Sequence, residues 1–445
     1  MEKVLIANRG EIALRIIRAC RELGLRSVAV HSSADAGGLW VRKADEAVDI
    51  GKPAARHSYL NADVLLEAAQ SGGADAVHPG YGFLSENATF ARRVADAGLT
   101  WVGPPADVIQ QMGDKAAARR VAERAGVPVV PGSAGTVATD EALDAAAAIG
   151  YPVMIKAAGG GGGRGIHVAE DAAALTRGME AAGREAESAF GNRELYLEKL
   201  IIRPRHVEVQ VMADGHGNAV HLFERECSLQ RRRQKLLEES PAPGLPSAAR
   251  EEMTQASVRL ALEAGYVNAG TVVFVVDAEG AFYFIEMNTR IQVEHPVTEM
   301  VTGLDLVKEQ LRVAAGEGLG FSQDAVRTRG AAIEFRINAE DPDAEFQPCP
   351  GKISDFELPG GPGVRVDTAI FNGYTVPPFY DSMIAKLIVW GVDRPEAVAR
   401  GRRALEDFVI GGIKTTIPFH LRLLASDGFR RGEYHTEYLA EHSLG

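Results

Sequence analysis

Residues 3–32 read KVLIANRGEIALRIIRACRELGLRSVAVHS, which is a short apolar run, an amphipathic segment and a second apolar run. The apolar runs have the length and composition of strands, and the segment between them spaces its apolar residues as a helix does. The alternation continues to about residue 110, with strand-like DAVHPG and TWVG and helical patterns near 61–70 and 86–97. Strands that alternate with helices predict a doubly wound parallel sheet in this part of the chain.

The turn after the first predicted strand, ANRGEI at 7–12, argues against a dinucleotide cofactor at this position. It contains one glycine, Gly10, where the dinucleotide-binding fingerprint requires three. The first strand–helix turn therefore does not indicate the function, whereas motifs later in the chain do.

Length and composition are those of an ordinary globular protein, with chain enough for about three domains. The sequence is 46% hydrophobic and 24% charged, and no apolar run approaches the length of a membrane span. The net charge of −12 argues against generic binding to nucleic acids or to anionic membranes. Cys20, Cys227 and Cys349 are far apart and form no CxxC pair. With no signal-peptide pattern at the start, this predicts a reduced, cytoplasmic location.

A glycine run at 156–168, KAAGGGGGRGIHV, separates two further predicted strands, YPVMIKA and GIHVAE. One interpretation is a flexible linker, although linkers usually contain serine and join domains rather than strands. The other is a flap over phosphates, because bare N–H groups bind anions and glycine lets the backbone approach them closely. The GxxxxGK[ST] pattern of a Walker A loop is absent from the sequence, so we favour a phosphate-covering flap of another kind.

Polar and apolar residues alternate in three later stretches, which predicts strands with one polar face. The stretches are HVEVQVM at 206–212, EMNTRIQVE at 286–294 and IEFRINAE at 333–340. In the second stretch, an extended chain would place on one side Glu286, Asn288, Arg290, Gln292 and Glu294.

The stretch 286–294 has two interpretations. The solvated face of an edge strand would show the same alternation. The apolar FYFI just before it favours an interior strand instead, and buried charges on an interior face need partners. In that case Glu286 and Asn288 offer the oxygen ligands that suit Mg²⁺, Arg290 could hold an anion, and Glu294 could act as a general base.

CSLQRRRQK at 227–235 concentrates cations within an acidic protein. A solvated basic loop is the commoner meaning of such a run, and a local site for anions is the alternative; the residues alone leave both open. HPGYGFLSEN at 78–87 has the composition of a turn at the end of a strand, where a single histidine such as His78 is more often structural than catalytic.

The order of these motifs resembles that of biotin carboxylase, the ATP-grasp component of biotin-dependent carboxylases. The resemblance runs essentially end to end through ANRGEIALRI, HPGYGFLSEN, MGDK, IKAAGGGGGRG, RHVEVQV, QRRRQK, FIEMNTRIQVEHPVTE, RINAED and YTVPPFYDSMIAKLI. It implies an α/β and α+β protein with a doubly wound, Rossmann-like domain at 1–112, an ATP-grasp domain at 113–328 and a C-terminal α+β domain at 329–445. The glycine run would then belong to a mobile lid at about 130–203.

The implied activity is ATP-dependent carboxylation of biotin by bicarbonate, the first half-reaction of an acyl-CoA carboxylase in fatty acid biosynthesis. ATP would phosphorylate bicarbonate, and the carboxyphosphate would break down to CO₂ and phosphate. Phosphate would then deprotonate biotin for its attack on CO₂. The resemblance also implies Mg²⁺, with Mn²⁺ as an alternative, and a homodimer. Because the sequence has no biotin-accepting MKM, biotin is expected on a separate biotin carboxyl carrier protein that serves carboxyltransferase subunits.

Motif matching assigns a role to individual residues. The nucleotide would be held by Lys115, Lys156, Gly161, Gly162 and Gly163 at its phosphates, by Glu198, Lys199 and Ile201 around adenine, and by His206, Gln230 and Arg233 near the ribose. Bicarbonate would be bound by Lys235, Arg290, Gln292 and the Val293 backbone and deprotonated by Glu294. The biotin ring would face Arg336 and Tyr81, and the metal would be bound by Glu286 and Asn288.

The chain departs from the family pattern at two positions. In AGTVVF at 269–274, Val273 stands where the family commonly has a metal-binding glutamate, and Arg233 stands where acetyl-CoA-type members usually have histidine. Val273 motivates an alternative, a weak or inactive paralogue that acts by binding nucleotide or carrier. A further alternative is another ATP-grasp reaction that joins a carboxylate to an amine. The transferase, rather than this chain, is expected to select the final acceptor of the carboxyl group.

Overall fold

The computed structural model describes residues 1–133, 135–138, 140–157, 166–190 and 193–442. Its N-terminal part is a five-stranded parallel sheet in the order β3-β2-β1-β4-β5. The elements are β1 (Lys3–Ile6), α1 (Gly10–Glu22), β2 (Arg26–His31), α2 (Leu39–Lys43), β3 (Glu46–Asp49), α3 (Ala62–Ser71), β4 (Ala76–His78), α4 (Ala88–Asp96), β5 (Thr100–Trp101) and α5 (Ala106–Gly113).

Helices cover both faces of this sheet, which confirms the predicted doubly wound arrangement. Val4 and Ile6 of β1 pack in one core with residues of α1, whereas Leu5 packs in a second core with Leu65 of α3 and Phe90 of α4. A parallel strand that is buried on both faces requires this continuous apolar sequence. The short elements α2 and β3 were not predicted from the sequence.

A three-stranded antiparallel sheet with its own core follows, in the order β7-β6-β8. The elements of this part are α6 (Lys115–Arg124), α7 (Ala142–Ile149), β6 (Val153–Ala157), β7 (Ile166–Ala169), α8 (Ala172–Phe190) and β8 (Leu195–Lys199). The strands predicted on either side of the glycine run are therefore confirmed, and they pair with each other. The glycines between them, including Gly161, Gly162 and Gly163, lie outside the described residues.

An eight-stranded antiparallel sheet, in the order β13-β12-β9-β10-β11-β14-β21-β19, carries the candidate site. Its strands are β9 (Arg205–Ala213), β10 (Ala219–Arg231), β11 (Gln234–Ser240), β12 (Asn268–Val276), β13 (Phe282–Asn288), β14 (Ala331–Asn338), β19 (Val364–Thr368) and β21 (Met383–Gly391). Between these strands lie α9 (Ser247–Glu263), α10 (His295–Thr302) and α11 (Leu306–Ala314). Because β11 pairs with β14, this one sheet spans the predicted boundary between residues 328 and 329.

The C-terminal part adds short strands and helices around the end of this sheet. They are β15 (Glu340–Asp341), β16 (Gln347–Pro348), β17 (Gly351–Lys352), β18 (Phe356–Glu357), β20 (Thr375–Val376), α12 (Arg394–Asp407), β22 (Val409–Ile410), α13 (Ile417–Ala425), α14 (Asp427–Arg431) and α15 (Tyr438–Glu441). Among the described residues, no helix is long and apolar enough to cross a lipid bilayer.

The two faces of the eight-stranded sheet differ in chemistry. On one face, Val207 and Val209 pack with residues of α9, and Phe335 packs with residues of α12 and α13. The cross-strand register places charged side chains next to each other on the opposite face: Glu208 beside Arg225, Glu238 beside Glu334, and Arg336 beside Lys386. The predicted alternation in 206–212 and 333–337 is confirmed, because it puts these charges on the same side of neighbouring strands.

Two predictions about residues 286–294 are wrong. The strand that contains Glu286 is β13, which lies at the edge of the sheet rather than in its interior. The extended conformation also ends at Asn288, because Glu86 accepts a hydrogen bond from the backbone N–H of Thr289 at 3.0 Å. The chain then turns, and α10 begins at His295 with a proline in its first turn, a position that proline favours. Residues 289–294 are therefore a loop on the charged face of the sheet.

Candidate active site

A lysine held between two buried carboxylates forms the centre of the candidate site. The Lys235 ammonium donates to Glu208 Oε2 at 2.7 Å and also contacts Glu294. The two carboxylates are fully buried and only 13% of the Lys235 side chain is exposed. Burial lowers the pKa of Lys235, but its acidic neighbours outweigh this and hold that pKa above its ordinary value. The site therefore contains a fixed positive charge in a region with little water.

Glu294 is shared between this lysine and an arginine from the next part of the chain. Arg336 donates to Glu294 Oε2 at 3.0 Å and to Glu238 Oε1 from its Nε at 2.6 Å. Burial raises the pKa of Glu294, yet Lys235 and Arg336 together hold it below the ordinary glutamate value. Burial raises the pKa of Glu238 to about 7, in spite of the opposing Arg336 charge. Glu294 is thus an ionised carboxylate that accepts hydrogen bonds from Lys235 and Arg336.

Arg225 supports this cluster from the middle of the sheet. Its guanidinium is completely buried and donates to Glu208 Oε1 at 2.7 Å and to Gln210 Oε1 at 2.7 Å. It also donates to the hydroxyls of Thr271 and Thr298, each at 3.1 Å. A buried guanidinium with this many partners fixes the Glu208 carboxylate, so the Lys235 ammonium has a defined position.

The loop 289–294 carries two more predicted side chains, of which Gln292 contacts the cluster and Arg290 contacts its neighbours. Gln292 Oε1 lies 3.4 Å from the Lys235 ammonium. Arg290 donates to Glu86 Oε2 at 2.9 Å and to Asn288 Oδ1 at 3.2 Å, so it spans the end of β13 and the N-terminal part of the chain. Of the polar residues predicted to share a strand face, Glu286 and Asn288 therefore lie on β13, whereas Arg290, Gln292 and Glu294 lie on the loop.

Tyr81 reaches the same region from the loop after β4. Its hydroxyl donates to Glu11 of α1, and the Lys386 ammonium lies 5.9 Å from the centroid of its ring. Burial, reinforced by the Glu11 charge, raises the pKa of Tyr81 well above its ordinary value. Tyr81 is therefore a neutral hydrogen-bond donor at the border of the N-terminal part and the eight-stranded sheet.

Two groups of the predicted nucleotide residues are in contact with neighbours. His206 Nδ1 lies 3.0 Å from Gln230 Nε2, and His206 Nε2 lies 3.5 Å from the central carboxylate of Glu208. On the small sheet, Lys156 pairs with Glu198 across β6 and β8. The Lys199 ammonium donates to the carbonyls of Gly150 and Tyr151, at 2.8 and 2.9 Å. The Lys199 side chain therefore stabilises its own sheet.

Other predicted residues are not brought into the cluster. Lys115 is exposed at the first turn of α6, Arg233 is exposed in the turn between β10 and β11, and Ile201 is half-buried after β8. Glu286 is also exposed, and no residue within the described ranges forms a hydrogen bond with its carboxylate. The predicted nucleotide end is thus more open than the predicted bicarbonate end.

Glu286 and Asn288 are the residues best placed to hold a metal ion with a nucleotide. They leave β13 two residues apart on one face, and they supply one carboxylate and one amide oxygen. Mg²⁺ binds through one or two carboxylates together with substrate phosphates, so this donor set fits Mg²⁺. In the cross-strand register Val273 lies between Glu286 and Glu208, so β12 contributes no oxygen to the set.

A second group of potential metal ligands, Glu208, Cys227 and Glu294, does not suit a divalent cation. Their ligand atoms lie within 4.8 Å of one another. The Lys235 ammonium and the Arg225 guanidinium already contact these carboxylates and would repel a metal ion.

Sequence reasoning missed several residues that build the site. Glu208 had a usable signal, because it alternates with His206 and Gln210. Lys386 also had one, since it is the single charge in the apolar strand MIAKLIVWG and a buried charge needs partners. Arg225 and Glu238 had none, because each adjoins another charged residue and the alternation that identifies a face is lost.

Known proteins resemble this chain along almost its whole length. Family models match residues 1–109 (biotin carboxylase, N-terminal domain), 114–321 (carbamoyl-phosphate synthase L chain, ATP binding domain) and 334–441 (biotin carboxylase C-terminal domain). The chain is 55% identical over 441 residues to a biotin carboxylase of a Nostoc species, covering 99% of each. It is 54% identical over 444 residues to a pyruvate carboxylase subunit of Methanothermobacter thermautotrophicus, covering 100% of this chain and 90% of the relative.

A solved structure shows the same fold with ligands. It is the dimer of the biotin carboxylase domain of the Hydrogenobacter thermophilus 2-oxoglutarate carboxylase, in complex with MgADP, ADP and bicarbonate. The TM-score is 0.89 at 50% identity, and the match covers 99% of this chain and 98% of that domain.

Proposed function

The chain belongs to the biotin carboxylase family and is an ATP-grasp ligase for ATP-dependent biotin carboxylation, and from that premise we propose its route, acceptor and assembly. The single observation that carries the route is the buried Lys235 ammonium between Glu208 and Glu294. A fixed cation beside an ionised base is what a small acidic anion needs in order to bind and then lose a proton.

We propose that bicarbonate binds against Lys235, Arg290, Gln292 and the backbone N–H of Val293. Glu294 accepts the remaining proton of bicarbonate while a bicarbonate oxygen attacks the γ-phosphorus of ATP, and ADP leaves. The basicity of Glu294 increases when Lys235 and Arg336 turn their hydrogen bonds from its carboxylate to the incoming anion. This compensates for the low pKa of Glu294 in the ligand-free protein.

The carboxyphosphate formed in this step then divides into CO₂ and phosphate. Phosphate accepts the proton of the biotin ureido nitrogen, and that nitrogen forms its new bond to CO₂, which completes carboxybiotin. The Arg336 guanidinium lies 3.0 Å from Glu294, so its positive charge is next to the site of reaction. That charge stabilises the negative charge that develops on the ureido oxygen. Tyr81, neutral and half-buried, borders the biotin ring from the N-terminal part of the chain.

ATP binds between the small sheet and the eight-stranded sheet in this proposal. Lys115, Lys156 and the lid glycines Gly161, Gly162 and Gly163 contact the phosphates; Glu198, Lys199 and Ile201 contact adenine; His206, Gln230 and Arg233 contact the ribose region. Glu286 and Asn288 would hold Mg²⁺, or Mn²⁺ in its place, and the metal ion would neutralise phosphate charge. Lys156 would exchange its partner Glu198 for a phosphate when the nucleotide binds.

We further propose that biotin reaches the site on a biotin carboxyl carrier protein, as is expected for the biotin carboxylase family. Carboxyltransferase subunits would pass the carboxyl group to an acyl-CoA, as in fatty acid biosynthesis in the cytoplasm. The nearly equal identity to a pyruvate carboxylase component makes a 2-oxo acid the acceptor to test beside acyl-CoA. A homodimer is proposed from the related domain dimer.

Turnover with free biotin tests the proposed route. The protein is incubated with ATP, MgCl₂ and bicarbonate, and ADP release is followed with and without biotin. We expect ADP release that depends on bicarbonate and rises with biotin. ADP release that ignores both compounds, or that rises only with an added amine, would contradict the route.

Val273 supports a second candidate, a paralogue of low activity that binds nucleotide or carrier. In the cross-strand register Val273 lies between Glu286 and Glu208, so Glu286 is the one carboxylate at the metal end. Substitution of Val273 by glutamate distinguishes the two candidates.

A further inference from the structure

Lys386 on β21 is a buried lysine whose ammonium joins distant parts of the chain. Its side chain is completely buried. The ammonium donates to the carbonyl oxygen of Val293 at 2.8 Å and lies 3.1 Å from the Glu11 carboxylate of α1. Glu11 in turn accepts a hydrogen bond from Tyr81. One cation therefore connects α1, the loop 289–294 and the C-terminal part of the eight-stranded sheet.

The carbonyl of the preceding residue is held in a similar way. Gln292 O lies 2.7 Å from the Nδ1 of His295, which is completely buried. Two consecutive carbonyls of the loop are thus bound by buried side chains. In a planar trans peptide the N–H points away from the carbonyl, so these contacts also fix the direction of the N–H groups of Val293 and Glu294. Neither N–H has an acceptor among the residues that the structure describes.

Two unpartnered N–H groups with fixed directions, in a loop whose Gln292 and Glu294 side chains contact the Lys235 ammonium, are suited to bind an anion. An unpaired backbone N–H in a buried region is unfavourable unless a ligand or water completes it. The N–H groups of Val293 and Glu294 are therefore available to a ligand. The Lys386 and His295 side chains, which fix these N–H groups, contact the carbonyls on the opposite side of the loop. Of those two side chains Lys386 carries the charge, because burial holds the pKa of His295 well below its ordinary value.

We propose that Lys386 is a positioning residue that fixes the peptide between Val293 and Glu294, so that the backbone N–H groups and the Glu294 carboxylate face bicarbonate. The inference rests on the proposed function, because it assigns a cause to the geometry of that bicarbonate site. Lys386 does not touch the substrate. It acts through the Val293 carbonyl.

The surroundings of Lys386 keep it charged and in place. The cross-strand register puts Arg336 on one side and Asp367 on the other. Burial lowers the pKa of Lys386, but Glu11, Glu334 and Asp367 outweigh it and hold that pKa above its ordinary value. A charged donor bonded to a neutral carbonyl is stronger than a neutral donor in the same place. The ammonium is therefore a firm support for the loop.

Lys386→Met removes the donor while keeping the length and apolar stem of the side chain. We expect the KM for bicarbonate to rise at least tenfold, with the KM for ATP changed less than twofold. The dissociation constant of ¹³C-labelled bicarbonate, measured by line broadening in the presence of ADP, should rise by the same factor. Lys386→Arg, which retains a charged donor, should give a smaller rise than Lys386→Met.

Lys3→Met is a matched control. The Lys3 ammonium also joins a carboxylate and a backbone carbonyl, Glu46 and Gly72, each at 2.9 Å, but it lies outside the site. Its removal should leave the bicarbonate constants unchanged. Because Lys386→Met leaves Glu11 buried without its counter-ion, the double variant Glu11→Gln/Lys386→Met provides a charge-balanced version that should show the same rise.

The outcomes separate the inference from the proposed function. Bicarbonate constants within twofold of wild type in folded Lys386 variants, or equal rises in the ATP and bicarbonate constants, would overturn the inference alone. Wild-type protein that binds no bicarbonate and shows no bicarbonate-dependent ADP release would overturn the proposed function and the inference together. A lowered Tm with unchanged bicarbonate constants would make Lys386 purely structural and would also overturn the inference.

Discussion

The two ends of the candidate site are built in different ways. At the bicarbonate end, Lys235, Glu208 and Glu294 are almost completely buried, and each has more than one charged partner. At the metal end, Glu286 is exposed on an edge strand, and its neighbour across the sheet is the apolar Val273. Both ends lie on the same face of one sheet, so the fold alone does not account for the difference.

The difference shows which part of the site is complete before ligands bind. Buried charges persist only where other charges and hydrogen bonds satisfy them, so the bicarbonate end is fixed by its own contacts. An exposed carboxylate at a sheet edge has no such constraint and acquires its geometry from the nucleotide and its metal ion. Substitutions at the bicarbonate end should therefore lower the rate of the chemical step, and substitutions at the metal end should change the affinity for metal and nucleotide.

The largest expected effect belongs to the base at the buried end. Glu294→Gln keeps the shape of the side chain but removes the charge that accepts a proton, so we expect kcat to fall about 10²–10⁴-fold. The KM for ATP should change less than twofold, because the nucleotide end is separate. Glu263→Gln, at a surface pair with Arg124, is a control that should retain wild-type turnover. A fall in kcat of less than fivefold would contradict the assignment of Glu294 as the general base.

Val273→Glu sharpens the comparison by adding a carboxylate to the open end. The new side chain would face Glu286 across the β12–β13 pair, so we expect the affinity for Mg²⁺ with ADP to rise about tenfold or more. The Tm should fall without metal, because Val273 is buried, and should recover when Mg²⁺ and ADP are added. Isothermal titration and thermal unfolding measure the two effects.

The turnover of Val273→Glu then decides between the two candidate functions. A kcat within about twofold of wild type would show that one carboxylate suffices. A rise above tenfold would favour the weakly active paralogue. Val48→Glu, which adds a carboxylate to the edge strand β3 of the N-terminal sheet, is the control and should leave metal affinity unchanged. Equal metal affinity in all three proteins would contradict the assignment of the metal end.

The sequence predicted the parts of the fold that follow from local periodicity. The alternation of strands and helices at 3–101 indicated the parallel sheet, and the period-two stretch at 206–212 indicated the polar face of β9. The loop at 289–294 could not be foreseen, because Glu86, distant in sequence, turns the chain by its bonds to Thr289 and Arg290. The edge position of β13 is likewise a tertiary property, since FYFI is buried only on alternate residues.

Glu238 provides a pH test of the buried end. Its folded-state pKa of about 7 lies above the ordinary glutamate value of 4.5, so the folded protein binds the proton more tightly than the unfolded chain. The Glu238 contribution to stability should therefore be lost as pH rises from about 4.5 to about 7. We expect the Tm of wild type minus that of Glu238→Gln to decrease between pH 5 and pH 8. A difference that is independent of pH would show that Glu238 ionises normally.

The smallest expected effect is at the support of Arg290. Glu86 is partly exposed, so solvent screens its bond to Arg290. For Glu86→Gln we expect the KM for bicarbonate to rise about two- to fivefold, with kcat nearly unchanged. Steady-state kinetics with varied bicarbonate measure this change. An effect as large as that of Glu294→Gln would mean that the loop depends on Glu86 more than on the buried cluster.

A crystal structure of the wild-type protein with MgADP and bicarbonate tests the central claim most directly. We predict that the anion lies against the Lys235 ammonium and the Val293 N–H, with Glu208 and Arg225 unmoved, the Arg336 hydrogen bond turned from Glu294 to the anion, and a metal ion at Glu286. An anion bound elsewhere, with Lys235 still in contact with both Glu208 and Glu294, would contradict the claim that this buried cluster is the bicarbonate-binding site.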